Sequence, residues 1–335
     1  MRQEEFEHLH AENWQQFKQL LDEYEVRAKR NKMKAVDLKR LPEHYRNICH
    51  CLAIAKQRQY SPYLIEHLDT LVLRGHQIIY TKHDNILVRV IEFIAHGFPR
   101  KIQQHLSLFW LTTFVFYGPG AIMFGLTMIN PELIYSLVPV DQVVSIESMY
   151  DPEQRVLGRE RDSDTDFYMF GHYIQNNIGI GFRTFATGIL FTLGSLFFLI
   201  FNGLFFGAIS AHIVNVKYTS TFFPFVIGHG SFELTAIVIS GMAGILLGWS
   251  LIAPGNLKRI EALKLAAQNA IGLMYGAVLL FLIAAFVEAF WSSSTNLTIN
   301  TKYTVGTIFW VLVLAYLLWP RKPMISSEAS SGETH

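Results

Sequence analysis

The chain has 335 residues, 51% of them hydrophobic and 14% aromatic, with only 16% charged and a formal net charge of +1. It is too apolar for an ordinary soluble protein, and its near-zero charge gives no ground for expecting nucleic-acid binding. Of the 28 Lys and Arg residues, 17 precede residue 105, which predicts a polar first region followed by a membrane domain.

The opening "MRQEEFEHLHAENW" has no apolar core of a secretory signal, so the N-terminus is expected in the cytoplasm. Phe6, Leu9, Trp14, Phe17, Leu21 and Tyr24 recur every three to five residues and predict an amphipathic helix over 4–28. A basic connector, "VRAKRNKMKAVDLKR", follows. A second helix begins after Pro42, and Ser61-Pro62 caps and starts a third through "YLIEHLDTLVLRGHQIIY". A fourth covers about 84–97 and stops at "FPRK". Residues 1–104 thus form a cytoplasmic helical bundle, whose basic side chains either touch anionic headgroups or stay solvated. Cys49 and Cys51 make a poor disulfide pair and at best half a metal site.

Five apolar zones follow, at about 105–129, 180–214, 222–249, 270–290 and 304–319. Five simple crossings would place Lys258, Arg259 and Lys264 outside, against the positive-inside bias. Asn202-Gly203 is turn chemistry in an overlong zone, and a fold-back there raises the count to six. Both termini are then cytoplasmic. The expected architecture is all-α: a polytopic helical membrane protein with about six segments, some short or broken, over 105–320. An extracytoplasmic loop spans 130–178, with nine Asp and Glu against three Arg, and a disordered cytoplasmic tail spans 321–335.

Ionisable residues inside a span are candidates for function. His229 and Glu233 lie at i and i+4 and share a helical face. With Asn202, His212 and Glu288 they are expected to form an intramembrane polar cluster. Three readings fit: polar groups pinning a helix broken at Gly228/Gly230, a conduit or substrate site, or metal-dependent catalysis. The first is preferred, because polar contacts at backbone irregularities are common in membrane bundles. The third has only two ligands, no evident third, and no "HExxH" pattern. No cofactor, no bound metal and no catalytic residue are therefore expected. Gly203 with Gly207, and Gly241, Gly244 and Gly248, give small-residue faces for close helix packing, within the chain or across a homo-oligomer.

"NGLFFGAISAH", "GHGSFELTAIVISGMAGILLGWSLIAPG" and "LIAAFVEAFWSSS" closely resemble the stage II sporulation protein M family. The first half resembles its longer form from bacteria that do not sporulate, through "HYRNICHCLAIAKQ", "LVLRGHQIIY", "FPRKIQ" and "ESMYDP". The resemblance implies a multi-pass protein of the bacterial cytoplasmic membrane, not an enzyme, working beside envelope-remodelling partners. Longer relatives are often associated with a MoxR-type AAA ATPase and a von Willebrand-like partner. The expected function is a scaffold or assembly factor, with a channel or transporter around Asn202, His229 and Glu233 as the alternative.

Overall fold

The computed structural model describes residues 1–29, 41–80, 86–153, 163–294 and 296–320. The basic connector, residues 154–162 of the expected outer loop and the C-terminal tail lie outside the described residues. The chain divides into two compact units, Met1–Arg89 and Val90–His335. The first 15 residues after that division, expected in the N-terminal bundle, pack with the second unit, and Phe98 and Ile102 sit in its core.

The first unit holds helices α1 (Gln3–Lys29), α2 (Leu41–Gln57) and α3 (Pro62–Tyr80). Their apolar stripes meet in one core around Phe6, Phe17, Leu21, Ile48, Cys51 and Leu68, as the helical spacing predicts. The close approach of α3 occurs at Gly75, where a Cβ would stand 2.7 Å from the Phe17 ring. Cys51 is part of this core, and burial pushes its thiol above the usual range, with the Trp14 side chain opposing. The Cys51 side chain packs in the core as a small apolar group.

The division falls within α4 (Ile86–Glu92), and the second unit continues with a π-helical turn at Phe93–Gly97 and α5 (Phe98–Gln104). Next come α6 (Leu106–Ile129), the short α7 (Val140–Tyr150), α8 (Ser163–Ala186), α9 (Leu193–Asn215) and α10 (Thr219–Ile252). The last are α11 (Arg259–Phe286), which runs on as a π-helical turn over Val287–Ser292, and α12 (Ile299–Leu318). No strand occurs among the described residues. The protein is an all-α polytopic membrane protein: five of these helices, α6, α9, α10, α11 with its π turn, and α12, are long and apolar enough to cross a bilayer. Exposed Trp110, Phe114 and Ile122 on α6 and Val311 and Leu312 on α12 offer apolar surface suited to lipid.

Contacts along the helices give their directions. Gly120 of α6 lies against Gly203 and Gly207, and Asn215 donates to the Thr127 carbonyl at 3.0 Å, so α6 and α9 run parallel. Phe167 stacks edge-on with Phe290 while Gly181 meets Phe281, so α8 is antiparallel to α11. Gly181 and Gly188 meet Ser240 and Gly244, so α8 is parallel to α10. Lys302 reaches the Ser292 carbonyl and Gln103 reaches the Leu317 carbonyl, which fixes the two ends of α12. Six rods thus lie side by side, α6, α9 and α11 running one way and α8, α10 and α12 the other. Call the end bearing Ile129, Thr219 and Ser292 distal, and the end bearing Gln104, Ile252 and Leu318 proximal.

Two expectations are corrected. There is no fold-back at Asn202-Gly203, because α9 runs unbroken through it. Asn202 donates to the Phe198 carbonyl one turn back at 2.7 Å, and a Cβ at Gly203 would collide with the Phe116 carbonyl. The pair serves close helix packing instead of a turn. Nor is there a break at Gly228/Gly230: α10 is one helix of 34 residues. The sixth rod is α8, drawn from what reads in the sequence as the end of an outer loop. Its Asn176, Asn177 and Arg183 dilute its apolar signal.

Candidate functional site

At the distal end, α10 presents His229 and Glu233 on one face, with His229 Nε2 4.0 Å from Glu233 Oε2. The π-helical turn after α11 widens the helix there and turns Glu288 and Ser292 toward them. Such turns inside α-helices frequently mark functional sites. One donor atom each from His229, Glu233 and Glu288 all lie within 4.8 Å of one another. His229 Nδ1 meets Ser292 Oγ at 3.2 Å, and the Phe225 ring stands edge-on to the imidazole at 5.2 Å. Trp291 covers Gly228, where any Cβ would overlap its ring. The histidine is thereby held on both sides.

Two further elements close the site. Lys302 of α12 is buried and donates to the Ser292 carbonyl at 2.7 Å, tying α12 to the π turn. Tyr150, the last residue of α7, packs edge-on against Phe222 and Phe225, and its carbonyl accepts from the Thr221 hydroxyl. Burial raises the Tyr150 phenol well above its usual range, and Glu288, Tyr173 and Glu233 add to the effect.

The predicted polar residues divide. His229, Glu233 and Glu288 come together. His212 lies in α9 and is paired instead with Glu147 of α7, Nε2 to Oε1 at 2.7 Å. Asn202 is spent on its own helix. Sequence reasoning passed over Ser292, Lys302, Tyr150 and Glu147 as site residues. A signal existed for two of them, since "ESMYDP" carries both Glu147 and Tyr150. Lys302 stands out only as a lone cation at the start of an apolar run.

The predicted glycines also divide. Gly207 meets the Gly120 carbonyl, Gly241 the Leu199 side chain, Gly244 the Ser195 hydroxyl and Gly248 the Gly188 carbonyl. Gly228 carries Trp291. Gly230 has only Val226 and Leu234 of its own helix within reach. Beside it runs an apolar groove of about 290 Å³ along α10 and α12, bordered by Tyr117, Phe206, Ile227 and Trp310. A second, of about 330 Å³, follows the α6–α9 crossing past Phe116, Phe124 and Ser210.

Residues 109–293, the stretch that builds five of the six rods and the cluster, match the family model for Stage II sporulation protein M. The chain belongs to that family. In this stage II sporulation protein M relative, the match covers all three clustered residues but stops before Lys302. Residues 4–81, nearly the whole first unit, match a Domain of unknown function (DUF8413). No curated protein and no solved structure matches the chain.

Proposed function

We propose that this stage II sporulation protein M relative is a non-enzymatic scaffold or assembly factor of the bacterial cytoplasmic membrane, with six crossings and both termini in the cytoplasm. At 24 residues, α8 is about 36 Å long, enough to cross a hydrocarbon core of about 30 Å. Arg100, Lys101, Lys258, Arg259 and Lys264 belong to the proximal end, while Glu132, Asp141, Glu147, Asp151 and Glu153 gather at the distal end. The positive-inside bias supports a cytoplasmic proximal end.

The observation that carries the scaffold reading is how the polar and apolar groups are disposed. A transport path through the bundle would need Asn202 to converge with His229 and Glu233, and Asn202 is bonded to its own helix. The grooves that run along the helices are lined by aromatic and aliphatic side chains instead. Apolar grooves on a membrane bundle suit the side of a partner helix or a lipid chain. The partners proposed are membrane or cytoplasmic proteins, a MoxR-type AAA ATPase system among them by family analogy, with the first unit as the cytoplasmic docking module.

Extraction of the full-length protein from native membranes in mild detergent tests this. Partners identified by mass spectrometry should copurify with the wild type and be lost when Met1–Arg89 is removed. Reconstituted protein that carries an ion flux, abolished in Glu233→Gln, and that retains no partner would establish the transporter instead.

A further inference from the structure

The scaffold reading leaves the distal cluster without a task. Two carboxylates and an imidazole, the latter only 5% exposed, are gathered at one point of an apolar bundle. Each buried charge there is costly unless a counter-charge neutralises it.

The imidazole's two nitrogens have different surroundings. Nδ1 is within hydrogen-bonding distance of Ser292 Oγ. Nε2 faces Glu233 Oε2 at 4.0 Å, too far for a hydrogen bond. In the tautomer that carries its proton on Nδ1, Nε2 presents a lone pair on the side of Glu233, where one cation would reach both groups. Metal–ligand distances near 2.1 Å place two ligands of one cation about 3 Å apart at a right angle and about 4.2 Å apart when opposite. The His229–Glu233 separation falls inside that range, and the 4.8 Å bound on the trio is one small side-chain adjustment away.

We propose that His229, Glu233 and Glu288 bind one divalent transition-metal cation of the Mn²⁺ or Zn²⁺ kind. The two carboxylates balance the charge of one divalent cation, with the imidazole as a neutral ligand. The imidazole and the small number of protein donors distinguish this set from the six to eight oxygens that Ca²⁺ takes. Ser292 is the outer partner that holds the ring in the ligating tautomer. The cation would join α10 to the π-helical end of α11, fastening the distal end where Tyr150 of α7 and Lys302 of α12 also converge.

The test uses full-length protein in detergent, stripped with chelator and titrated with MnCl₂, free Mn²⁺ being followed by electron paramagnetic resonance. One equivalent of Mn²⁺ per chain is expected, displaced by ZnCl₂. Glu288→Gln and His229→Gln should each weaken binding at least ten-fold while keeping wild-type elution and helicity. A Cys49→Ala/Cys51→Ala variant should bind as the wild type does, which separates the site from the thiols of the first unit. Should a ligand variant fail to fold, echo-modulation spectra of Mn²⁺ on the wild type replace it, and coupling to one imidazole nitrogen is expected. Absence of Mn²⁺ and Zn²⁺ binding, binding unchanged in both ligand variants, binding lost with the cysteines, or no nitrogen coupling would each overturn the proposal. None of these results bears on partner copurification, so the scaffold reading stands or falls separately.

Discussion

Between Gly241 and Gly248, α10 meets α9 and the segment before it with almost nothing in between: the Gly188 carbonyl and the Thr192 backbone lie where a Cβ at Gly248 would be. Between Gly228 and Glu233 the same helix meets its neighbours through side chains, with an indole over Gly228 and an imidazole reaching Ser292. Both stretches are apolar enough for a membrane span. In lipid, burying apolar surface gives little preference for protein over lipid contact, so helices associate through close packing and polar contacts. One helix uses the first means in its proximal half and the second in its distal half. The proximal contacts tolerate no added atom, and the distal ones can be re-set by exchanging one polar group for another.

The largest effect is expected where backbone meets backbone. Gly248→Leu should cost about 3 kcal/mol or more and leave little monodisperse protein in detergent, because the colliding atoms are main chain and cannot swing away. Gly207→Ala, at the α6–α9 crossing, should lower the melting midpoint by the equivalent of about 1–3 kcal/mol, read by thermal unfolding in detergent. If Gly248→Leu kept wild-type stability, the division between the two halves of α10 would be false.

Smaller effects are expected distally. His212→Ala removes the tie between α9 and α7 and should cost about 1 kcal/mol, since polar contacts in membrane bundles average less than that and rarely exceed ~2 kcal/mol. Addition of Mn²⁺ to chelator-stripped protein should raise the melting midpoint of the wild type and leave that of Glu288→Gln unchanged. The smallest change is expected at Gly230, where a Cβ would meet only Val226 at 3.4 Å and Leu234 at 3.9 Å. Gly230→Ala should be neutral or stabilise by up to about 1 kcal/mol through helix propensity. A large loss there would show that the groove beside it is occupied by something the alanine displaces.

Much of the helix layout was legible in advance. The spacing of Phe6, Trp14, Phe17 and Leu21 placed α1 and its buried face, and Ser61-Pro62 placed the start of α3. The errors came from glycine. Asn202-Gly203 reads as a turn because its residues favour one in water, and Gly228/Gly230 reads as a break for the same reason. In the packed bundle both positions remain helical, since every backbone group in a membrane needs its partner and a glycine supplies room for a neighbour. The sixth rod was missed because hydropathy measures how well a segment suits lipid. α8 carries His172, Gln175, Asn176, Asn177 and Arg183, and of these Asn177 alone is turned into the protein, only 2% exposed.

The sequence by itself determined that this is an all-α membrane protein with a separate helical first unit, that it belongs to its family, and that His229 and Glu233 share a face. All of these depend on local periodicity or on residue identity, which a linear chain displays. Only the tertiary structure decided that Glu288, 55 residues beyond Glu233, completes a trio while His212, 17 residues before His229, turns to Glu147 instead. Which of several polar groups meet is set by helix direction, by rotation about each axis and by a single π turn. Those are properties of how the rods pack, and no spacing along the chain records them.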